Sequence, residues 1–203
     1  MKLYNHPIAP SPRRVRIFAA EKEIKLELQD VDLLAGQSHT PEFLAKNASG
    51  AVPVLELEDG SYLPESVAMC RYLEGLYPEP NLFGRDFREQ SHIEMWNRRM
   101  ELELFFHVGN AVINTSPLFR GVFPQFPEYG EAQRAAALER IERMDRELGG
   151  HEYIAGTRFT IADITALVAI DIGGAMGDIQ LNPRLENLTR WHKMVSSRPS
   201  AKA

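Results

Sequence analysis

Apolar and polar positions alternate in short bursts over the first eighty residues and settle into helical spacing afterwards. Lys2 to His6 is an apolar burst stopped by Pro7, which predicts a first strand. Pro10-Ser11-Pro12 follows, and serine at an N-cap with proline at the first helical position predicts a helix running through Val15, Ile17, Phe18 and Ala19 to about Lys22. Leu26, Leu28 and Val31 predict a second strand over Lys25 to Val31, and Thr40-Pro41 opens a short helix carrying Phe43 and Leu44. Val52, Val54 and Leu55-Glu56-Leu57, then Asp59-Gly60, then Tyr62-Leu63, predict a β-hairpin with a two-residue turn. Pro64-Glu65-Ser66 leads into a helix with Val67, Met69, Cys70, Leu73, Leu76 and Tyr77 on or near one face. The order is βαβ, α, a hairpin, α.

Pro78-Glu79-Pro80-Asn81 breaks the helix and begins a linker, so the expected division is a first domain over 1–78, a linker over 79–84 and a second domain over 85–203. The second domain reads as all-helical. Ile93, Trp96, Met100, Leu104, His107 and Ala111 recur every three or four residues, which predicts one long amphipathic helix with these residues inward. Tyr129 to Leu148 is another helix, ended by Gly149-Gly150. Thr160-Ile161-Ala162-Asp163 has the form of a capping box, with Asp for the usual Glu, and opens a segment to Ile172 that is apolar almost all round. That segment is expected to be the buried centre of the domain. Leu185, Leu188, Trp191 and Val195 predict a last amphipathic helix.

Composition narrows the function classes. A chain of 203 residues with 44% hydrophobic and 25% charged residues is an ordinary globular protein, and a formal net charge of −5 argues against a nucleic-acid partner. The first residues turn polar at once, giving no signal-peptide core, and no stretch approaches the ~20 apolar residues of a membrane helix. Cys70 is the single cysteine, so neither an internal disulfide nor a thiolate-built metal centre is expected. The expected compartment is the cytoplasm.

Several strings, in order and spanning most of the chain, resemble the glutathione S-transferase family. They are Tyr4-Asn5-His6-Pro7 with Ser11-Pro12-Arg13-Arg14-Val15-Arg16, the run from Pro41 to Leu55, the pair Glu65-Ser66, and Thr160 to Asp163. The resemblance implies an α/β thioredoxin-like N-terminal domain followed by an all-α C-terminal domain. It further implies glutathione as cosubstrate, no metal, a small hydrophobic electrophile as the second substrate, and a homodimer. The chain departs from the family's strings at Ala48, where proline often follows the asparagine, and at Ser11, where the most similar subgroup reads Pro-Asn-Pro-Arg-Arg.

The residues themselves bear on that chemistry. A thiol of pKa about 8.5 is only a few per cent ionised at pH 7, and lowering that value by two units takes roughly 2.7 kcal/mol of preference for the anion. Ser11, between the first strand and first helix, offers a hydroxyl donor and a positive helix terminus; acting only as an N-cap is the alternative. Glu65-Ser66 lies at a helix start, where free N–H groups favour a carboxylate, and a simple cap is again the alternative. The resemblance assigns this pair to the γ-glutamyl carboxylate of glutathione. It makes Pro53 a cis-proline and has the backbone of Val52 pair with the cysteinyl part. It sets His39 against the glycine carboxylate, with a solvated loop histidine as the alternative. Arg13, Arg14 and Arg16 put positive charge in the first turn of a helix, against its dipole; at least two of them read as a solvated basic face, and an anionic ligand in front of that turn is the alternative. His107 lies on the helix that lines the electrophile pocket in this family, to orient a water or the thiol, with a satisfied core histidine as the alternative. Other glutathione-dependent chemistry (a dehalogenase, isomerase or peroxidase) and a non-catalytic binding module stay open.

Overall fold

The opening burst forms β1 (Lys2–Asn5) in a computed structural model that describes residues 1–203. It is followed by α1 (Pro10–Glu21), β2 (Glu27–Asp30), a short α2 (Pro41–Leu44), β3 (Val54–Glu56), β4 (Tyr62–Pro64) and α3 (Ser66–Leu76). The strand order is β2-β1-β3-β4, with β1 and β2 parallel and the other pairs antiparallel. This is the mixed sheet of a thioredoxin-like domain. Side-chain alternation divides its core. Tyr4 and Val54 cluster with Val31 and with Phe43 of α2. Leu3 and Leu55 point the other way and are fully buried, as are Val15 and Phe18 of α1 and Met69 and Leu73 of α3, two helices packed on each other.

Two expectations need correction. All four residues of β2 are exposed, Leu28 included, because β2 is an edge strand paired only to β1. Helix α1 begins at Pro10 with Ala9 as its N-cap, so Ser11 is the second helical residue and caps nothing. Lys22, buried at the end of α1, satisfies its ammonium with Glu74 Oε2 at 2.6 Å, the Tyr77 carbonyl at 2.6 Å and the Pro80 carbonyl at 2.8 Å. Three acceptors for three donors explain how a buried lysine is tolerated here.

The chain divides into two compact units, Met1–Asn81 with Lys202–Ala203, and Leu82–Ala201. The second is all-helical: α4 (Phe87–Arg99), a π-helical segment Met100–Phe105, α5 (Phe106–Thr115), α6 (Pro127–Glu147), α7 (Ile161–Met176) and α8 (Glu186–Ser196). The expected long helix is α4, the π-helical segment and α5 in unbroken succession. Its buried stripe is Ile93, Asn97, Met100, Leu104, Val108 and Ala111. Trp96 and His107, expected inward, are only partly buried. An asparagine takes the core position because its Oδ1 accepts the Thr165 hydroxyl of α7 at 2.7 Å, which compensates its burial.

Every residue of α7 from Ile161 to Ile170 is buried. Its start is a capping box of Thr160 and Asp163, and Asp163 does more than cap. Oδ1 accepts from Ile154 N at 3.0 Å and Trp191 Nε1 at 2.8 Å, while Oδ2 accepts from Thr160 N at 2.9 Å and Thr160 Oγ1 at 3.2 Å. Burial pushes this carboxyl up to about 6 although all four donors pull the other way. No helix in the molecule is long and apolar enough to cross a membrane.

Candidate functional site

The register brings four segments to one end of the sheet. Pairing of Tyr4 with Val54, of Val54 with Pro64, and of Asn5 with Asp30 means that β1, β2 and β4 all end where β3 begins. At that end lie the start of α1, the start of α3, the Val52-Pro53 step and the loop after β2. Ser11, Glu65-Ser66 and Val52-Pro53 therefore share one edge, and His39 joins them through Gly50. Gly50 has φ +65, where a side chain is strained, and a Cβ there would lie 3.1 Å from the Ser38 carbonyl and 3.2 Å from His39 Nε2, so glycine suits this close approach. His39 itself is exposed, with Nδ1 3.0 Å from Ser38 Oγ.

The first turn of α1 is unusual in its donors. Pro10 and Pro12 have no N–H, Ala9 N bonds His6 Nδ1 at 3.2 Å, and Arg13 N bonds the Ala9 carbonyl at 3.3 Å. Ser11 keeps the turn's one uncommitted N–H, and its hydroxyl makes no hydrogen bond within the chain. The loop before it is braced by Arg16, which donates to Asn5 Oδ1, to the His6 carbonyl at 3.3 Å and to the Pro7 carbonyl at 2.9 Å. Asn5 Nδ2 in turn donates to Asp30 Oδ1 at 2.6 Å.

The first turn of α3 is richer. Glu65 is its N-cap at φ 69 and ψ 108, a conformation that non-glycine residues hold at a cost of order 1–3 kcal/mol and that clusters at ligand clamps. The N–H groups of Ser66, Val67 and Ala68 have no partner in the chain; the first helical bond is Met69 N to the Glu65 carbonyl at 2.9 Å. Ser66 is 6% exposed, and its Oγ accepts from Arg14 Nη1 at 2.7 Å, with Arg14 itself 2% exposed. Because the hydroxyl oxygen receives a charged donor from behind, its own proton is free to be given forward. A capping role for Ser66 is excluded, since it is the first helical residue and no side chain caps this helix.

Arg14 and Arg16 thus face inward, correcting their reading as a solvated basic face. A charged residue on an otherwise apolar helix face, with serine 52 positions on as its partner, leaves no local signature in the sequence. Val52 lies outside the strand ladder, its backbone N–H and C=O make no hydrogen bond within the chain, and its bond to Pro53 is cis. Cys70 is fully buried and its thiol is pushed up to about 12 by that burial, which suits a core residue and not a nucleophile.

In the helical unit, His107 stands in the first turn of α5, two residues past the π-helical segment. Its Nδ1 lies 2.6 Å from Gln133 Oε1 on α6, and Phe106 meets the ring edge-on at 5.8 Å. The sequence gives no hint of Gln133, because only the packing of α6 on α5 brings it near.

A thioredoxin-like half and an all-helical half, with donors gathered at one end of the sheet, define the class. Residues 9–76 match the model of the glutathione S-transferase N-terminal domain and residues 96–199 that of the C-terminal domain. Glutathione S-transferase 2 of Saccharomyces cerevisiae is 39% identical over 209 residues, which span 100% of this chain and 88% of that protein. The crystal structure of Gtt2 from the same yeast superposes with a TM-score of 0.94 at 36% identity, covering 100% of this chain and 99% of the other. A glutathione S-transferase domain-containing protein of Marinobacter aquaeolei VT8 gives 0.93 at 33% identity, covering 98% and 99%. The chain belongs to the glutathione S-transferase family.

Proposed function

We propose that this protein conjugates glutathione, through its thiolate sulfur, to a small hydrophobic electrophile. The observation that carries this reading is the start of α3, where three uncommitted N–H groups adjoin a serine hydroxyl whose oxygen is engaged by a buried guanidinium. That array suits the γ-glutamyl carboxylate, with Val52 pairing the cysteinyl backbone and His39 meeting the glycine carboxylate. The sulfur then falls to Ser11, which donates to the thiolate, while His107 orients a water or the thiol. Glutathione supplies the reactive atom, and the protein supplies position and anion stabilisation. The direct test is turnover with glutathione and an activated aromatic chloride. Tight glutathione binding without turnover would favour another glutathione-dependent chemistry, and no binding would favour a non-catalytic module.

Ser66→Ala is expected to weaken glutathione binding by ten- to a hundred-fold, since one hydrogen bond to a charged group is worth about 1.5–3 kcal/mol. Calorimetry on both proteins measures it, and equal affinities would remove Ser66 from the site.

The assembly we propose is a homodimer through the long helix. Leu102, Phe106 and Ile113 are 51%, 52% and 38% exposed and line a groove of about 250 Å³ on its outer face. So large an apolar stripe on one helix suits a two-fold contact. Light scattering at low micromolar concentration is expected to give twice the 23.0 kDa of one chain, and a monomer mass would refute the dimer.

A further inference from the structure

The short contact between His107 and Gln133 has a chemical consequence that neither residue has alone. Gly130, one turn before Gln133 on α6, makes it possible: a Cβ there would lie 2.6 Å from Thr115 Cγ2 and 2.9 Å from Asn114 Cβ of α5. The glycine lets α6 press against α5, and residues three apart on a helix share a face, so Gln133 is carried up to the histidine. A neutral imidazole has one N–H and one lone pair. An amide oxygen only accepts, so at 2.6 Å from Oε1 the Nδ1 atom carries the proton and Nε2 carries the lone pair. We propose that Gln133 is a positioning residue that holds His107 in its Nδ1–H tautomer and so makes Nε2 the hydrogen-bond acceptor. The catalytic consequence rests on the reading of His107 as the residue that orients the water or thiol.

A glutamine does this differently from a carboxylate. Aspartate or glutamate in its place would fix the same tautomer but also favour imidazolium, removing the lone pair near neutral pH. A neutral amide fixes the tautomer without adding a negative charge beside the ring. Several charged groups on the elements packed around the ring are engaged with one another, while Glu128, Glu139, Glu142 and Arg146 of α6 are exposed. Glu103 of the π-helical segment pairs with Arg140 at 3.1 Å and with Arg143, and Arg140 pairs with Glu147 at 3.0 Å. Arg134 pairs with Glu131 and with Asp178 at 3.3 Å, and Asp171 of α7 pairs with His192 at 2.9 Å.

Long-range proton–nitrogen spectra of the full-length protein, with the His107 signals assigned by their loss in His107→Phe, read the tautomer directly. The wild-type ring is expected as Nδ1–H, Gln133→Leu as a tautomer mixture, and Gln133→Glu as Nδ1–H with its titration moved upward. With glutathione and an aromatic chloride, Gln133→Leu is expected to lower kcat about ten- to a hundred-fold, the lower range for misplaced acid–base groups, with little change in the KM for glutathione. Gln133→Glu is expected to recover part of that loss only above its new titration point. An Nε2–H ring in the wild-type protein, or an unchanged tautomer in Gln133→Leu, overturns the assignment even if His107→Phe is inactive. Wild-type turnover in His107→Phe instead sinks the reading of His107, and the tautomer measurement still stands.

Discussion

Replacing Ser11 by alanine is expected to lower turnover by ten- to a hundred-fold, equivalent to roughly 1.4–2.7 kcal/mol of lost transition-state stabilisation. The bound glutathione thiol should titrate higher, seen as weaker thiolate absorbance at neutral pH. The structure makes this test cleaner than the sequence suggested. Ser11 is not the N-cap of α1 and its hydroxyl makes no bond within the chain, so the variant keeps every contact of the wild type. Its melting temperature should barely move, since an uncommitted surface hydroxyl contributes within about 0.5 kcal/mol. A Ser11→Ala enzyme with unchanged melting, unchanged glutathione affinity and full turnover would transfer the activating role to the helical unit, where His107→Phe would then carry the loss.

The largest effect on stability is expected at Asp163. Alanine there leaves the N–H groups of Ile154, Thr160 and Trp191 buried with no acceptor. Each orphan costs about 1–3 kcal/mol, and breaking a buried polar network commonly costs 3–5 in total, so about 4 kcal/mol is expected. Against a total stability of roughly 5–15 kcal/mol, this is enough to impair folding in the cell. Urea unfolding should show a lower midpoint at unchanged slope, and a loss under about 1 kcal/mol would contradict the network. The sign with pH follows from the raised value. The folded carboxyl titrates at about 6, above the ~3.9 of an unfolded aspartate, so the folded state holds the proton more tightly. The stability this group contributes is full below about pH 4 and shrinks as pH rises through 6, so the gap to Asp163→Ala should be wider at pH 4 than at pH 7.

Local rules were enough where the responsible residues are neighbours in the chain. The β3–β4 hairpin and the Thr160–Asp163 capping box each show their cause within a few residues, although the hairpin turns over three residues, Glu58-Asp59-Gly60, and not the expected two: Leu57 N bonds the Ser61 carbonyl at 2.9 Å and Gly60 takes the left-handed φ of 82. Rules failed where two of them competed or where the partner is distant. Pro10 and Pro12 both suit an early helical position, and the serine between them points to an N-cap two residues later than Ala9. Asn97 and Arg14 look like surface residues until Thr165 and Ser66 are brought to them. The π-helical segment has no compositional mark, and it coincides with a helix already read as continuous. Of the site, the junction residues Ser11, Val52, Pro53, Glu65 and Ser66 were visible as positions between elements. Their donors were not, because an uncommitted N–H is defined by what every other residue does.

The two helix starts at this edge differ in the donors they present. The start of α3 offers three main-chain protons and a polarised hydroxyl, a geometry that matches the paired oxygens of a carboxylate. The start of α1, stripped of two protons by its prolines, offers only the N–H and O–H of residue 11. A phosphate, which is usually cradled by several successive amides, meets fewer main-chain donors there than at the start of α3. Two prolines in its first turn thus leave α1 a poorer cradle of main-chain donors than α3.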